Sequence, residues 1–218
     1  MIAAGRVSVN GKLQRDPEYP ISIARDQITL DGQPAQAAPR TYIALNKPRG
    51  LIVTTADERG RDTIYSLLQS AQLPWLAPVG RLDKASEGLL LLSNDPEWAA
   101  GITEPSGKLL KTYHVQISGS ADQAMLDVML SGIDDAGEHL SAVSVKRLRA
   151  GAKNTWLEVV LDEGRNRHIR RLLNALDHEA LRLVRIAIGP VTLGTLAKGQ
   201  WRQLSISEAT QLATPRAR

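Results

Sequence analysis

The chain has 218 residues, 43% hydrophobic and 23% charged, which suits one sizeable core or a main domain with a small appendage and argues against disorder throughout. Cysteine is absent, which excludes a disulfide scaffold, a cysteine nucleophile and a thiolate metal site. Lys and Arg number 27 against 23 Asp and Glu, a net of +4 that permits a polyanionic partner without requiring one. No apolar run approaches the roughly 20 residues that span a bilayer. The first residues, MIAAGRVSVNGK, lack the basic and apolar regions of a signal peptide, so no membrane association and a cytoplasmic location are expected.

Residues 1–32 read as a small β-rich segment. Val7 and Val9 alternate before the hairpin pair Asn10-Gly11; Ile21 and Ile23, then Ile28 and Leu30, alternate before Asp31-Gly32. QPAQAAPR at 33–40 reads as a linker, which puts a domain boundary near residue 40. Strands follow at 41–46 and 51–55 around a KPRG turn, and Asp62-Thr63 could cap a short helix through Leu68. The polar loop 79–88 leads into GLLLLS, a run expected of a strand buried on both faces. Pro96 suits the first turn of a helix. A strand at 109–118, a helix at 121–130, strands at 142–149 and 155–162, a helix within 163–176 and a strand at 181–189 complete the pattern. It describes an α+β domain over 41–204 with a mixed, largely antiparallel sheet and flanking helices, followed by a tail at 205–218.

On the helix at 166–176, Ile169, Leu172, Leu173 and Leu176 fall at i, i+3, i+4 and i+7 and make the core face. Arg167, Arg170, Arg171 and Asn174 lie opposite, with Arg170 nearest the apolar edge and Arg167 farthest out. Arg170 is therefore expected to be half buried and to need an anionic partner. The four arginines of RNRHIRR at 165–171 otherwise read as a phosphate-facing or solvated surface. Aromatic residues total 4% and Phe is absent, so a platform of many stacked rings is not expected. The four histidines have no metal-ligand spacing, so no metal is expected, and Asp134, Asp135 and Glu138 read as a solvated turn.

Four segments stand apart: NKPRG at 46–50, GRLDKASEGLLLLSND at 80–95, KTYHV at 111–115 and EGRNRHIRRL at 163–172. Together they resemble the pseudouridine synthases, specifically the RsuA-type ribosomal RNA branch, over 41–204. The resemblance implies that family's fold with a catalytic cleft, Asp83 as the catalytic carboxylate, and Tyr113 as the ring stacked on the target base. It implies Arg170 as the partner of the carboxylate and Leu183 as the apolar residue behind the base. Lys47, Arg81, Arg165 and Arg171 are the further substrate-binding candidates. It implies no cofactor, a monomer, and ribosomal RNA as partner, large-subunit RNA favoured over small-subunit. His168 stands where the family has Gln. Residues 1–32 look like the second half of an alpha-L RNA-binding module whose helical first half is missing.

The chemistry fits these residue types. The reaction breaks a carbon–nitrogen glycosidic bond, turns the uracil and rejoins it through carbon, with no redox change. A carboxylate can serve either as nucleophile or as base at a sugar proton. A nearby tyrosine can relay the proton lost at the new carbon–carbon bond. Extruding the target from its stack costs a few kcal/mol, which phosphate contacts offset. The alternative reading is a non-catalytic RNA-binding protein of ribosome assembly, which would have no reason to keep Asp83, Tyr113 and Arg170 together.

Overall fold

The computed structural model describes residues 1–22, 25–35, 38–54, 60–104 and 109–213. The chain divides into two compact units, Met1–Pro39 and Arg40–Arg218.

The first unit is a four-stranded antiparallel sheet of β1 (Val7–Val9), β2 (Lys12–Gln14), β3 (Ile28–Leu30) and β4 (Gln33–Pro34), in the order β2-β1-β3-β4. Both hairpin pairs turn as their sequence requires. Asn10 and Gly11 lie at φ 51° and 77°, Asp31 and Gly32 at 51° and 78°, the left-handed pair that matches strand twist. Two details differ from the sequence reading. Ile21 and Ser22 form no strand, and Ile23 lies outside the described residues. The expected linker at 33–40 begins one strand too early: Gln33 and Pro34 form an edge, where proline's missing N–H is tolerated.

The second unit is built on a nine-stranded sheet. Its strands are β5 (Tyr42–Lys47), β6 (Ala77–Val79), β7 (Glu87–Ser93), β8 (Lys111–Ser118), β11 (Ser144–Ala150), β12 (Asn154–Leu161), β13 (Ala180–Ile188), β14 (Val191–Thr192) and β15 (Trp201–Gln203). A separate hairpin pairs β9 (Ile133–Asp135) with β10 (Glu138–Leu140). The main path runs β11-β12-β8-β13-β7-β5-β15, with β14 beside β13 and β6 beside β7. Every pairing is antiparallel except β13 with β7, at Val184–Glu87 and Arg185–Gly88.

Helices cover both faces. One core packs α2 (Gln123–Ser131) and α3 (His168–Asn174) onto Leu90, Leu92, Val115, Ile117, Leu157 and Val159. The other packs α1 (Pro96–Thr103) and α4 (Ile206–Ala213) onto Ala44, Leu89 and Leu91. The run Leu89–Leu92 is thus completely buried, odd residues into one core and even residues into the other. Asp95 caps α1 by accepting from the Trp98 N–H at 3.2 Å, and Pro96 opens it as expected.

Three local expectations change. Residues 51–54 form no strand: Ile52 makes a single bridge to Thr63, and Leu51 and Val53 are satisfied by packing on the core. The helix proposed through Leu68 is one tight turn, Ile64–Leu67, and the Thr63 side chain makes no cap bond. Of the expected tail at 205–218, residues 205–213 are structured and 214–218 lie outside the described residues. Ser205 and Glu208 form a reciprocal capping box, 2.8 and 3.1 Å, that starts α4. Leu212 enters the second core and the Trp98 indole donates to the Ala209 carbonyl at 2.8 Å.

Candidate active site

A cleft of about 630 Å³ opens beside the β7–β13 junction and is lined by Asp83, Tyr113, Arg170, Leu183, Arg81 and Arg165 among others. That volume suits a ligand of nucleotide size.

Asp83 sits on the loop between β6 and β7 with its side chain exposed to the cleft. The loop is pinned from beneath. Lys47, at the end of β5, is completely buried and donates from Nζ to the carbonyls of Pro48, Asp83 and Ser86 at 3.1, 3.2 and 2.9 Å. Burial pulls its pKa down to about 8, against the opposing pull of the Asp83 and Glu87 charges. Lys47 therefore holds the loop backbone and does not line the cleft as a substrate-binding residue would. The Ser86 N–H closes the loop on the Asp83 carbonyl at 2.9 Å, and the Gly50 N–H reaches the Lys84 carbonyl at 2.8 Å.

The loop's exit is fixed by charge and by a glycine. Glu87 is 3% exposed and takes a bidentate pair from Arg182, 3.0 and 3.1 Å, and an ion pair from Lys198 at 2.6 Å. Burial raises the pKa of this carboxyl, but the two cations more than offset it and leave the carboxyl below its ordinary value. At Gly88, φ is +101° and a Cβ would lie 2.3 Å from the Arg185 carbonyl oxygen. Only glycine lets β7 and β13 approach this closely. The glycine of the GRLDKASEGLLLL segment is thus a requirement of the sheet next to Asp83.

Tyr113 on β8 and Leu183 on β13 form the buried floor, 8% and 7% exposed. Arg170 enters from α3. It is half buried, as the helical wheel requires, but its hydrogen bonds go to the carbonyls of Ala180 at 3.0 Å and Ala85 at 3.5 Å. Among the described residues no hydrogen bond or ion pair joins it to Asp83. Burial and the neighbouring Arg167 lower its pKa, and the Asp83 charge opposes them, so the two groups communicate through space.

Arg81 is exposed at the rim. Arg165 also lines the cleft but pairs with Glu163 at 2.8 Å. Arg171 does not line it. Its guanidinium is spent on the carboxylates of Asp135 and Glu138 and on the Asp135 carbonyl at 2.6 Å, which ties α3 to the β9–β10 hairpin. The acidic turn read as solvated is therefore half of an ion-pair network. The helix itself starts two residues later than the wheel assumed. Arg167 is the N-cap, left-handed at φ 51°; it is exposed, as the wheel has it, and lines the cleft.

His168 is 3% exposed and lines the cleft, and neither ring nitrogen has a hydrogen-bond partner among the described residues. Glu163 approaches Nδ1 to 3.6 Å. Burial lowers the histidine pKa more than Glu163 raises it, so the ring is neutral at pH 7. Two further cations, Lys111 and Arg185, line the same cleft and were not singled out from the sequence. Their signal was present: Lys111 is two residues from Tyr113 and Arg185 two from Leu183, the spacing that shares one face of a strand.

Residues 41–175 match the RNA pseudouridylate synthase family. An uncharacterised RNA pseudouridine synthase of Aquifex aeolicus is 38% identical over 213 residues, covering 97% of this chain and 85% of that protein. One of Rickettsia typhi is 34% identical over 207 residues, covering 94% of this chain and 84% of that protein. The crystal structure of a pseudouridylate synthase superposes with a TM-score of 0.72 at 28% identity, over 97% of this chain and 90% of the other. With that match spanning most of the sheet and those relatives spanning nearly the whole chain, the protein belongs to the RNA pseudouridine synthase family of isomerases.

Proposed function

We propose that the chain converts one uridine of ribosomal RNA to pseudouridine, as an RsuA-type enzyme with Asp83 as its catalytic carboxylate. The convergence of Asp83, Tyr113, Arg170 and Leu183 on one cleft from a loop, two strands and a helix carries this reading. The extruded uracil lies against Tyr113 with Leu183 behind it. Asp83 acts on the sugar or the base from the opposite wall, and Arg170 supplies positive potential beside it. Tyr113 stands within the pocket as a relay for the proton released when the carbon–carbon bond forms. Arg81 and Arg165 at the rim meet phosphates, which makes binding salt-dependent. The small sheet of residues 7–34 is read as the β half of an alpha-L RNA-binding module. Large-subunit RNA is the favoured target, and a monomer the acting form.

Carbodiimide treatment and reverse transcription of ribosomal RNA, with and without the gene, test this directly. One reverse-transcription stop should vanish on deletion and return with the wild-type gene but not with Asp83→Asn. An unchanged stop pattern would refute the ribosomal target. Return of the stop with Asp83→Asn would remove Asp83 from the mechanism.

A further inference from the structure

Among the described residues, Arg185 is the one buried cation of the cleft with an unspent donor. Its residue is 6% exposed, its Nε donates to the Leu89 carbonyl at 2.7 Å, and its buried Nη2 has no partner among the described residues. Arg185 lies directly across from Tyr113 in the β13–β8 ladder, and both line the cleft. Lys111, two residues before Tyr113 on the same strand face, lines it too. Burial lowers the Lys111 pKa, and the charge of Arg185 lowers it further, while Asp162 and Glu163 draw it back. Two cations thus share this part of the lining, and one of them keeps a buried donor that no described residue takes. A buried guanidinium left this way has given up water for a bond it does not make. A family member that opens its cleft to RNA has a ready means of making that bond.

We propose that Arg185, with Lys111 beside it, forms a phosphate subsite that grips the backbone of the extruded nucleotide while its base lies on Tyr113. The proposal deepens the function given above and rests on it. A phosphate is favoured over a uracil carbonyl because it carries a full negative charge. A buried cation is matched by an opposite ion far better than by another neutral oxygen, and Arg185 already has one of those in Leu89. The lining of the cleft agrees: six Lys and Arg side chains stand against four carboxylates, which leaves room for an anion. The subsite also supplies what extrusion requires, a contact made only when the nucleotide has left its stack.

The test uses the full-length protein and fluorine NMR titrations of 5-fluorouridine 5′-monophosphate and 5-fluorouridine, with inorganic phosphate as competitor. The nucleotide should bind at least about tenfold more tightly than the nucleoside, as one charge-assisted contact warrants. Arg185→Met should collapse that preference to under about twofold, Lys111→Gln should reduce it in part, and inorganic phosphate should displace the nucleotide more weakly than the nucleotide itself binds. Equal affinity of wild type for nucleotide and nucleoside overturns the subsite, and that arm needs no variant to fold. A loss of nucleoside affinity in Arg185→Met equal to the loss for nucleotide would assign Arg185 to the base and overturn the proposal. So would inorganic phosphate binding as tightly as the nucleotide. Failure of the broader reading is separable: no pseudouridine formed on any RNA, with the nucleotide preference intact, refutes the activity and leaves the subsite standing.

Discussion

Lys47→Met keeps an unbranched side chain and deletes the charge under the Asp83 loop. In the folded protein this ammonium loses its proton near pH 8, against 10.5 when unperturbed. Between those values the unfolded chain holds a proton that the folded chain has released, so Lys47 makes stability rise with pH across that window. The gap corresponds to about 3 kcal/mol. Below pH 8 the folded protein carries that cost in full, because the charged form must be buried. The variant escapes it but removes a donor from three carbonyls, of which Asp83 retains the Ser86 N–H. At about 1–2 kcal/mol for each lost bond the two effects largely offset one another at pH 7, and the unfolding free energy there should change by no more than about 3 kcal/mol.

The informative quantity is therefore the pH dependence. Urea unfolding of both proteins at steps from pH 7 to 10.5 should show wild type gaining about 3 kcal/mol relative to the variant. Other titrating groups are common to both proteins and drop out of the difference. Turnover at pH 7 should fall in the variant even with stability matched. A loop displaced by about 1 Å moves the carboxylate enough to cost on the order of a hundredfold in rate. Parallel stability curves, or wild-type turnover in the variant, would refute the assignment of Lys47 as the loop's support.

Asp83→Asn should eliminate pseudouridine formation while RNA affinity stays within about threefold, because the amide keeps shape but is neither nucleophile nor base; more than about a tenth of wild-type turnover would exclude Asp83. Arg171→Ala should lower stability only slightly in urea unfolding, because its carboxylate partners are about two-fifths solvent-exposed, and should leave the salt dependence of RNA binding unchanged. Arg167→Ala should do the reverse, lowering the slope of log affinity against log salt by about 1 with little change in stability. Gly88→Ala places a Cβ 2.3 Å from the Arg185 carbonyl at φ +101°, and should lower stability by about 3–5 kcal/mol through strain and separation of β7 from β13. A melting temperature within 2–3 °C of wild type, on the order of 1 kcal/mol, would show that the junction yields easily.

The residues that the sequence disclosed most clearly are those whose role depends on short-range spacing. Asn10-Gly11 and Asp31-Gly32 specify their own turns, and Pro96 after Asp95 specifies a helix start. The four leucines 89–92, closely bounded by Gly88 and Ser93-Asn94-Asp95, suit a short strand between two layers, and all four are buried there. The resemblance to the pseudouridine synthases singled out Asp83 in GRLD, Tyr113 in KTY and, more loosely, Leu183, and the structure brings these to one cleft. What stayed illegible depends on partners distant in the chain. Arg170 and Arg171 are adjacent and chemically identical, yet one turns to carbonyls beside Asp83 and the other to Asp135 and Glu138, 33 to 36 residues away. No local pattern announces that hairpin as a counter-ion. The same holds for Lys47, whose carbonyl acceptors lie up to 39 residues on, and for Arg185, whose burial follows from pairing with both β7 and β8. Arg167 is exposed, as the wheel has it, but it stands ahead of the helix and not on it. A wheel presumes the helix begins where the pattern does, and a left-handed residue at the N-cap breaks that premise. A cation in such a site is therefore assigned by what already occupies its donors. On that criterion Lys47 and Arg171 are tied to the protein's own backbone and carboxylates, while Arg185 keeps a donor that no described residue takes, which is the ground on which it is proposed to meet the substrate.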